Sequence, residues 1–246
     1  MSGNSAVCLS SFIMIRGIMI KKLSILCLSI LFCGNLAWAA DSAGNRKDSI
    51  IMLGMAPVGI HPATLLAAPA RVAVILGDLT VGIDAGSGSS SYYTTGKATT
   101  FLTTTSGTYT NQGLNARYFF GNSFNASLGY HMRNFSGTST AKSYSSSNLS
   151  YSYQTETYSL DAKTSVATLG IGNHWLMDFG LWIGGDWVLA SSALSQTKEV
   201  TSTGTTGSPS ATQRASLKKN AEAAADEMNA WSASGGFAVL TIGFAF

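Results

Sequence analysis

From Phe124 to Arg133 the chain keeps a strict rhythm: Phe124, Ala126, Leu128, Tyr130 and Met132 are apolar, while Asn125, Ser127, Gly129, His131 and Arg133 are polar or glycine. Successive side chains of a strand point to opposite faces, so a period of two predicts a strand with one oily and one polar face. The rhythm recurs with Leu114, Ala116, Tyr118 and Phe120 around Asn115 and Arg117. It recurs again where Phe179, Leu181, Ile183, Trp187 and Leu189 alternate with Gly180, Gly184 and Asp186. The last strand sets Leu240, Ile242, Phe244 and Phe246 opposite Val239, Thr241, Gly243 and Ala245. An all-β fold follows.

Turn signals pair these strands. Gly77-Asp78 joins Leu65–Leu76 to Leu79–Gly88 as a two-residue hairpin. Mirror symmetry about that turn pairs Leu76 with Leu79, Val74 with Val81 and Val72 with Ile83, and sets Arg71 across from Asp84. A three-residue loop, Gly121-Asn122-Ser123, keeps Phe120 and Phe124 on one face and puts Arg117 opposite Ser127. Leu176-Met177-Asp178 between Trp175 and Phe179 reads the same way, placing Thr168 opposite Asp186. Between the hairpins lie long Ser/Thr-rich linkers, 89–111, 135–160 and 192–235. Ser49–Ile60 supplies an eighth strand, with Pro57 at a bulge or near an end and a short loop at His61-Pro62-Ala63-Thr64. Within the third linker Leu217, Ala221, Ala224, Met228 and Trp231 recur at helical spacing over roughly 210–230, with Ser208 or Ser210 as cap. That predicts one amphipathic helix lying over the mouth or rim.

Alternation alone does not say which face meets protein. In a soluble sandwich the oily face packs inward; in a membrane barrel it meets lipid while the lumen is polar. The leader changes the balance. "MIKKLSILCLSILFCGNLAWA" combines two lysines, an apolar run and Ala37-Trp38-Ala39, the small-x-small pattern of signal cleavage. Residues 1–39 read as a signal peptide whose true start is Met19, and 40–48 as a periplasmic segment.

Composition agrees. The 246 residues are 46% hydrophobic and only 11% charged, against about 25% charged in ordinary soluble domains. The net charge of +3 resides in the leader, since Arg16, Lys21 and Lys22 leave 12 Lys+Arg against 12 Asp+Glu beyond residue 39. A neutral mature chain offers no footprint for nucleic acid. All three cysteines, Cys8, Cys27 and Cys33, precede the cut, so the mature chain can build no thiol site.

Taken together, residues 49–246 resemble the small eight-stranded outer-membrane barrels of the OmpA/OmpX type, without a periplasmic domain. The resemblance rests on alternation, on short turns alternating with long loops, and on the ending "LTIGFAF". It implies an antiparallel up-and-down eight-stranded transmembrane β-barrel in the outer membrane of a Gram-negative-type bacterium, with both termini periplasmic. It also implies that Leu240, Ile242, Phe244 and Phe246 form the signal read by the barrel assembly machinery. The surroundings would be membrane lipid and lipopolysaccharide, the chain a monomer, and any extracellular ligand unidentified.

By parity Arg71, Asp84, Asn115, Arg117, Asn125, His131, Arg133, Trp182 and Asp186 face the lumen, as does Phe119. Eight strands leave an interior just wide enough for side chains to fill it. Uncompensated buried charge costs several kcal/mol. The expectation is therefore a charge network in which Asp84 and Asp186 are shared among Arg71, Arg117 and Arg133, with His131 and water completing it. Such a plugged lumen suits a structural or surface-interaction role. A narrow porin-like channel is the alternative, a soluble β-sandwich another, and a lipid-modifying enzyme a third. The enzyme would need a histidine at the outer rim; only His61, His131 and His174 are present in the mature chain, with His61 placed at a rim loop. Ser139 and Lys142 match an S-x-x-K pattern by letter within a Ser-rich linker. No cofactor or metal site is expected.

Overall fold

The computed structural model describes residues 41–61, 67–95, 101–147 and 150–246. The leader, with Met19, Ala37 and Ala39, and the expected loop after His61 lie outside the described residues. The elements are α1 (Ser42–Asp48), β1 (Ile51–Ile60), β2 (Ala70–Leu76), β3 (Leu79–Thr95), β4 (Phe101–Phe119), β5 (Phe124–Ser147), β6 (Ser150–Leu176), β7 (Leu181–Thr206), α2 (Ala211–Ala233) and β8 (Gly236–Ala245). Each strand pairs antiparallel with its neighbours in sequence, and β8 returns to β1, so eight strands form a closed ring.

The seam closes tightly: Phe246 donates to the Ile51 carbonyl at 2.9 Å, and the Ile50 amide donates to the Phe246 carbonyl at 2.6 Å. The poor alternation of β1 has a cause. Pairing with β8 slips between Met55 and Val58, so the strand bulges around Pro57, which has no amide to give to a ladder.

Two hairpin registers match the sequence expectation. Leu76 pairs with Leu79, Val74 with Val81, Val72 with Ile83 and Arg71 with Asp84, around a turn whose Gly77 has φ +65°. Arg117 pairs with Ser127. The β6–β7 turn differs. It falls two residues later, with Met177 and Leu181 flanking Asp178-Phe179-Gly180, closed by the Met177 amide donating to the Leu181 carbonyl at 2.8 Å, and with Gly180 at φ +88°. Thr168 therefore pairs with Ser191, and Asp186 with Gly172. Asp186 still faces inward, because the register moves by an even number of places there. Farther up, a bulge at Trp187 separates Asp186 from Val188 and reverses the phase. Leu189, expected on the outer face, consequently lines the interior.

The larger correction concerns the linkers: 89–111 and 135–160 are strand over most of their length, and 192–235 is strand as far as Thr206. β3 to β7 run far beyond the other three strands, and their Ser/Thr stretches pair residue by residue, as Thr105 with Ser139 and Thr138 with Ser159. Threonine and tyrosine favour the extended backbone, so these segments build tall hairpins.

Helix α2 packs against the inner side of that tall sheet. Ser210 caps it through the Gln213 amide, and Gln213 returns the bond to the Ser210 amide, a reciprocal capping box. Leu217, Ala221, Ala224, Ala225 and Met228 bury against Tyr109, Phe135, Tyr158, Leu160 and Ala162. The helix thus lies inside the curl of the sheet rather than across its rim. Trp231, placed on the buried stripe by spacing, is exposed; Asn229 and Ser232 turn inward in the last turn instead.

At the opposite end α1 caps the short turns. Asn45 donates to the Leu176 carbonyl and to Asp178, and the Ser42 hydroxyl accepts from the Leu176 amide. Fully buried Arg46 donates to the carbonyls of Gly121 and Asn122 and to Asp78, with its guanidinium 4.0 Å from the centre of the Phe119 ring. Burial lowers the Arg46 pKa from its ordinary value, and Asp78 works against that shift. Above α1 lies an apolar layer of Met52, Ala73, Ile75, Phe119, Leu176, Trp182 and Ala245.

The outer surface is unlike that of an ordinary globule. Val72, Val74, Leu76, Val81, Ile83, Leu114, Tyr118, Phe120, Phe124, Leu128, Leu169, Ile171, Phe237, Ile242, Phe244 and Phe246 are all exposed on it. They encircle the lower half of the ring. Among the described residues no helix is long and apolar enough to cross a membrane.

Candidate functional site: the charged interior

Six charged or titratable side chains were expected on the inner face, and the fold puts all six there: Arg71, Asp84, Arg117, His131, Arg133 and Asp186 line one central cavity. It measures about 50 Å³. One water needs roughly 10–15 Å³, so the space suits a few waters and no organic solute.

Two arginines and two aspartates form separate, forked pairs. Arg71 donates through Nε to Asp84 Oδ1 at 2.6 Å and through Nη2 to Oδ2 at 2.9 Å, while Asn115 also donates to Oδ2 at 2.9 Å. Cross-strand register explains this pair, since residues 71 and 84 stand directly opposite. Arg117 reaches across the ring: Nη1 to Asp186 Oδ1 at 2.6 Å and Nη2 to Oδ2 at 3.0 Å, with Nη1 also held by Asn125. Planar guanidinium meets planar carboxylate in both cases, the strongest arrangement for such pairs.

Arg133 corrects the expectation. It bonds to neither aspartate. Nη1 donates to the carbonyls of Ser232 at 2.6 Å and Ser234 at 3.2 Å, Nη2 to His61 Nε2 at 2.8 Å, and Nε to Asn111 at 3.3 Å. Ser232 and Ser234 end α2, where unpaired carbonyls and the helix dipole concentrate partial negative charge. A helix C-terminus therefore takes the place of a third carboxylate. His131 lines the same cavity without a direct hydrogen bond to either carboxylate.

Two histidines do more than expected. His174 lies 3.4 Å from Asp186 through Nε2, and its Nδ1 accepts the Trp182 indole N–H at 3.0 Å. Indole only donates, so the His174 proton sits on Nε2, facing the carboxylate. His61, expected at a rim loop, is buried; arginine only donates, so His61 offers Arg133 an unprotonated Nε2. Sequence reading missed both partnerships, although one signal was present. Each ring packs where a neighbouring strand carries glycine: His174 over Gly184, His61 over Gly236 and His131 over Gly113. A β-carbon at any of the three would meet the imidazole at closer than contact distance.

Ser139 is buried on the inner face, donated to by Thr105 at 3.1 Å, whereas Lys142 is exposed on the outer face. Residues three apart in a strand point opposite ways, so the S-x-x-K letters do not meet in space. Among the described residues no three His, Cys, Asp or Glu side chains could hold a metal ion. Of the residues expected to form a C-terminal signal, Leu240, Ile242 and Phe244 lie on β8 and Phe246 follows it; Ile242, Phe244 and Phe246 are exposed and Leu240 is half-buried. Compared with protein-family models, with curated proteins and with solved structures, the chain matches none.

Proposed function

We propose that the chain is an integral outer-membrane β-barrel whose interior is plugged, with a structural or surface-interaction role rather than a catalytic or conducting one. The observation that carries this reading is the reversed polarity of the ring: aliphatic and aromatic side chains face out in a continuous band, and ion pairs face in. A soluble protein rarely exposes a contiguous apolar patch beyond a few hundred Å². On β5 the outward run from Phe124 to Met132 covers eight steps, roughly 26 Å of strand at about 3.3 Å per residue. Tilted by about 40°, this gives roughly 20 Å, close to the apolar band of about 25 Å in outer-membrane barrels. Beyond the band the outward residues turn polar, as Asn134, Ser136 and Thr138 on β5 and Ser165 and Lys163 on β6.

Three layers support a plug: α1 over the short turns, the paired charges at mid-height, and α2 in the tall sheet. On this reading the short turns and both termini face the periplasm, the tall hairpins stand outside among lipopolysaccharide, and Leu240, Ile242, Phe244 and Phe246 serve the assembly machinery. Membrane fractions from expressing cells should hold the protein in a form that migrates faster unboiled than boiled. Planar-bilayer recordings of the same material should show no stable openings. Recovery as a soluble monomer without detergent would sink the membrane reading, and large steady conductance would sink the plug.

A further inference from the structure

Above the band, the β6–β7 hairpin and the first turns of α2 line an open groove of about 340 Å³. That size falls within the roughly 300–1,000 Å³ of small-molecule sites. Its wall includes Glu156, Tyr158, Ser202, Arg214 and Lys218. A β-bulge shapes it. Glu156 pairs with Thr205 and Thr157 with Gly204, but Tyr158 pairs with Ser202, so Thr203 is the extra residue. Bulges re-aim side chains, and this one brings the Ser202 hydroxyl onto Glu156 Oε1 at 2.9 Å.

The unusual group is the other carboxylate oxygen. Glu156 is only 4% exposed, and its Oε2 is buried without a hydrogen-bond partner. A buried acceptor left unpaired is costly and calls for an explanation. The neighbouring tyrosine supplies only part of one: its hydroxyl lies 3.4 Å from the Arg214 carbonyl to which it donates and also stands against the Glu156 carboxylate, so one proton is divided between two acceptors. Across the groove Arg214 uses Nε on the Pro209 carbonyl at 3.4 Å, and no partner holds its terminal amines among the described residues. Lys218 keeps only a long contact with Glu222, 3.8 Å. The pocket therefore presents one under-satisfied buried carboxylate and two available cations around an aromatic ring.

We propose that this pocket binds a small zwitterion, its ammonium against Glu156 Oε2 and its phosphate or carboxylate against Arg214 and Lys218. A simple anion would confront the buried carboxylate, and a neutral sugar would leave both cations unused. The same chemistry occurs in free molecules and in lipid headgroups, so the test carries both.

Full-length protein folded in detergent is titrated calorimetrically with O-phosphoethanolamine, ethanolamine and inorganic phosphate, and separately with lysophosphatidylethanolamine and lysophosphatidylglycerol. O-phosphoethanolamine, its lysolipid or both should bind more tightly than either half-ligand and than lysophosphatidylglycerol. Glu156→Gln, which preserves shape and the Ser202 bond, should weaken zwitterion binding at least about tenfold without weakening phosphate. Arg214→Gln, on the exposed helix face, should weaken it comparably and spare ethanolamine. No binding of either zwitterion, or affinity indifferent to both substitutions, overturns the proposal. The pocket depends only on β6, β7 and α2, so that failure leaves the membrane reading standing. Altered gel migration in cell fractions, conversely, leaves this one intact.

Discussion

Replacing Asp186 with Asn is the sharpest test of how the interior is held. Asparagine keeps the volume and one acceptor but removes the charge that neutralises Arg117 and faces His174 Nε2. Both ion-pair side chains are nearly inaccessible, 4% for Arg117 and 6% for Asp186, so solvent cannot replace the lost partner. Stranding one member of such a pair costs about 3–5 kcal/mol, which is roughly two to four decades in the folding equilibrium. With a urea slope of about 2 kcal/mol per molar, the midpoint should fall by roughly 1.5–2.5 M. The assay is urea-dependent folding into lipid vesicles, read by gel migration. Asp226→Asn is the matched control: its partner Lys198 lies at 2.7 Å, yet the side chains are 62% and 37% exposed, so the loss should be at most about 1 kcal/mol. The double change Arg117→Met with Asp186→Leu should recover most of the stability, because removing both charges removes the stranded one. A loss at Asp186 no larger than at Asp226, or a double variant worse than the single, would refute the reasoning.

Gly184→Ala should cost about 1–3 kcal/mol in that assay, because the new methyl would meet the His174 ring and backbone; a neutral effect would mean that His174 does not pack there. Arg46→Ala should lower stability by about 2–4 kcal/mol through lost bonds to the Gly121 and Asn122 carbonyls, with faster proteolysis at the short turns as the second readout. In single-tryptophan variants, brominated lipid should quench Trp187, which is 48% exposed on the band, and spare Trp182 at 1%; equal quenching would contradict the proposed orientation of the ring.

What was legible in the sequence was whatever depends on short-range geometry. The Arg71–Asp84 pair could be written down because a two-residue turn fixes register by symmetry, and opposite residues then touch. The β6–β7 turn resisted because Phe179 looked like a strand residue, yet Gly180 at positive φ favours a turn two residues later. Arg133 could not be assigned correctly for a different reason. Its counter-charge is the carboxyl end of a helix 99 residues away in sequence, and backbone carbonyls carry no letter that marks them as acceptors. His61 and His174 were equally hidden, since glycines on adjacent strands become sockets only once pairing is known.

The misreading of the tall hairpins as loops has a single physical origin. Along β5 the odd residues face inward throughout, from Asn125 to Ala141. What changes is the company each face keeps. Below Arg133 the inner face carries Asn125, Ser127, Gly129 and His131 while the outer face carries Leu128, Tyr130 and Met132; above it the inner face carries Phe135 and Ala141 against α2, and the outer face Ser136 and Thr138. The apolar phase thus inverts within one unbroken strand, and a pattern search reports the inversion as the strand's end. β6 does the same, with Tyr158, Leu160 and Ala162 inward above and Leu169 and Ile171 outward below. A proposed bilayer that stops at that height accounts for both halves: lipid below demands oil outside, water above demands hydroxyls outside. The inversion on adjacent strands at one level, Arg133 pairing with Thr164, marks where the outer boundary of the membrane should lie. Spin labels at Met132 and at Ser136 should therefore differ sharply in accessibility to a water-soluble relaxant, and equal accessibility would remove the boundary from the argument.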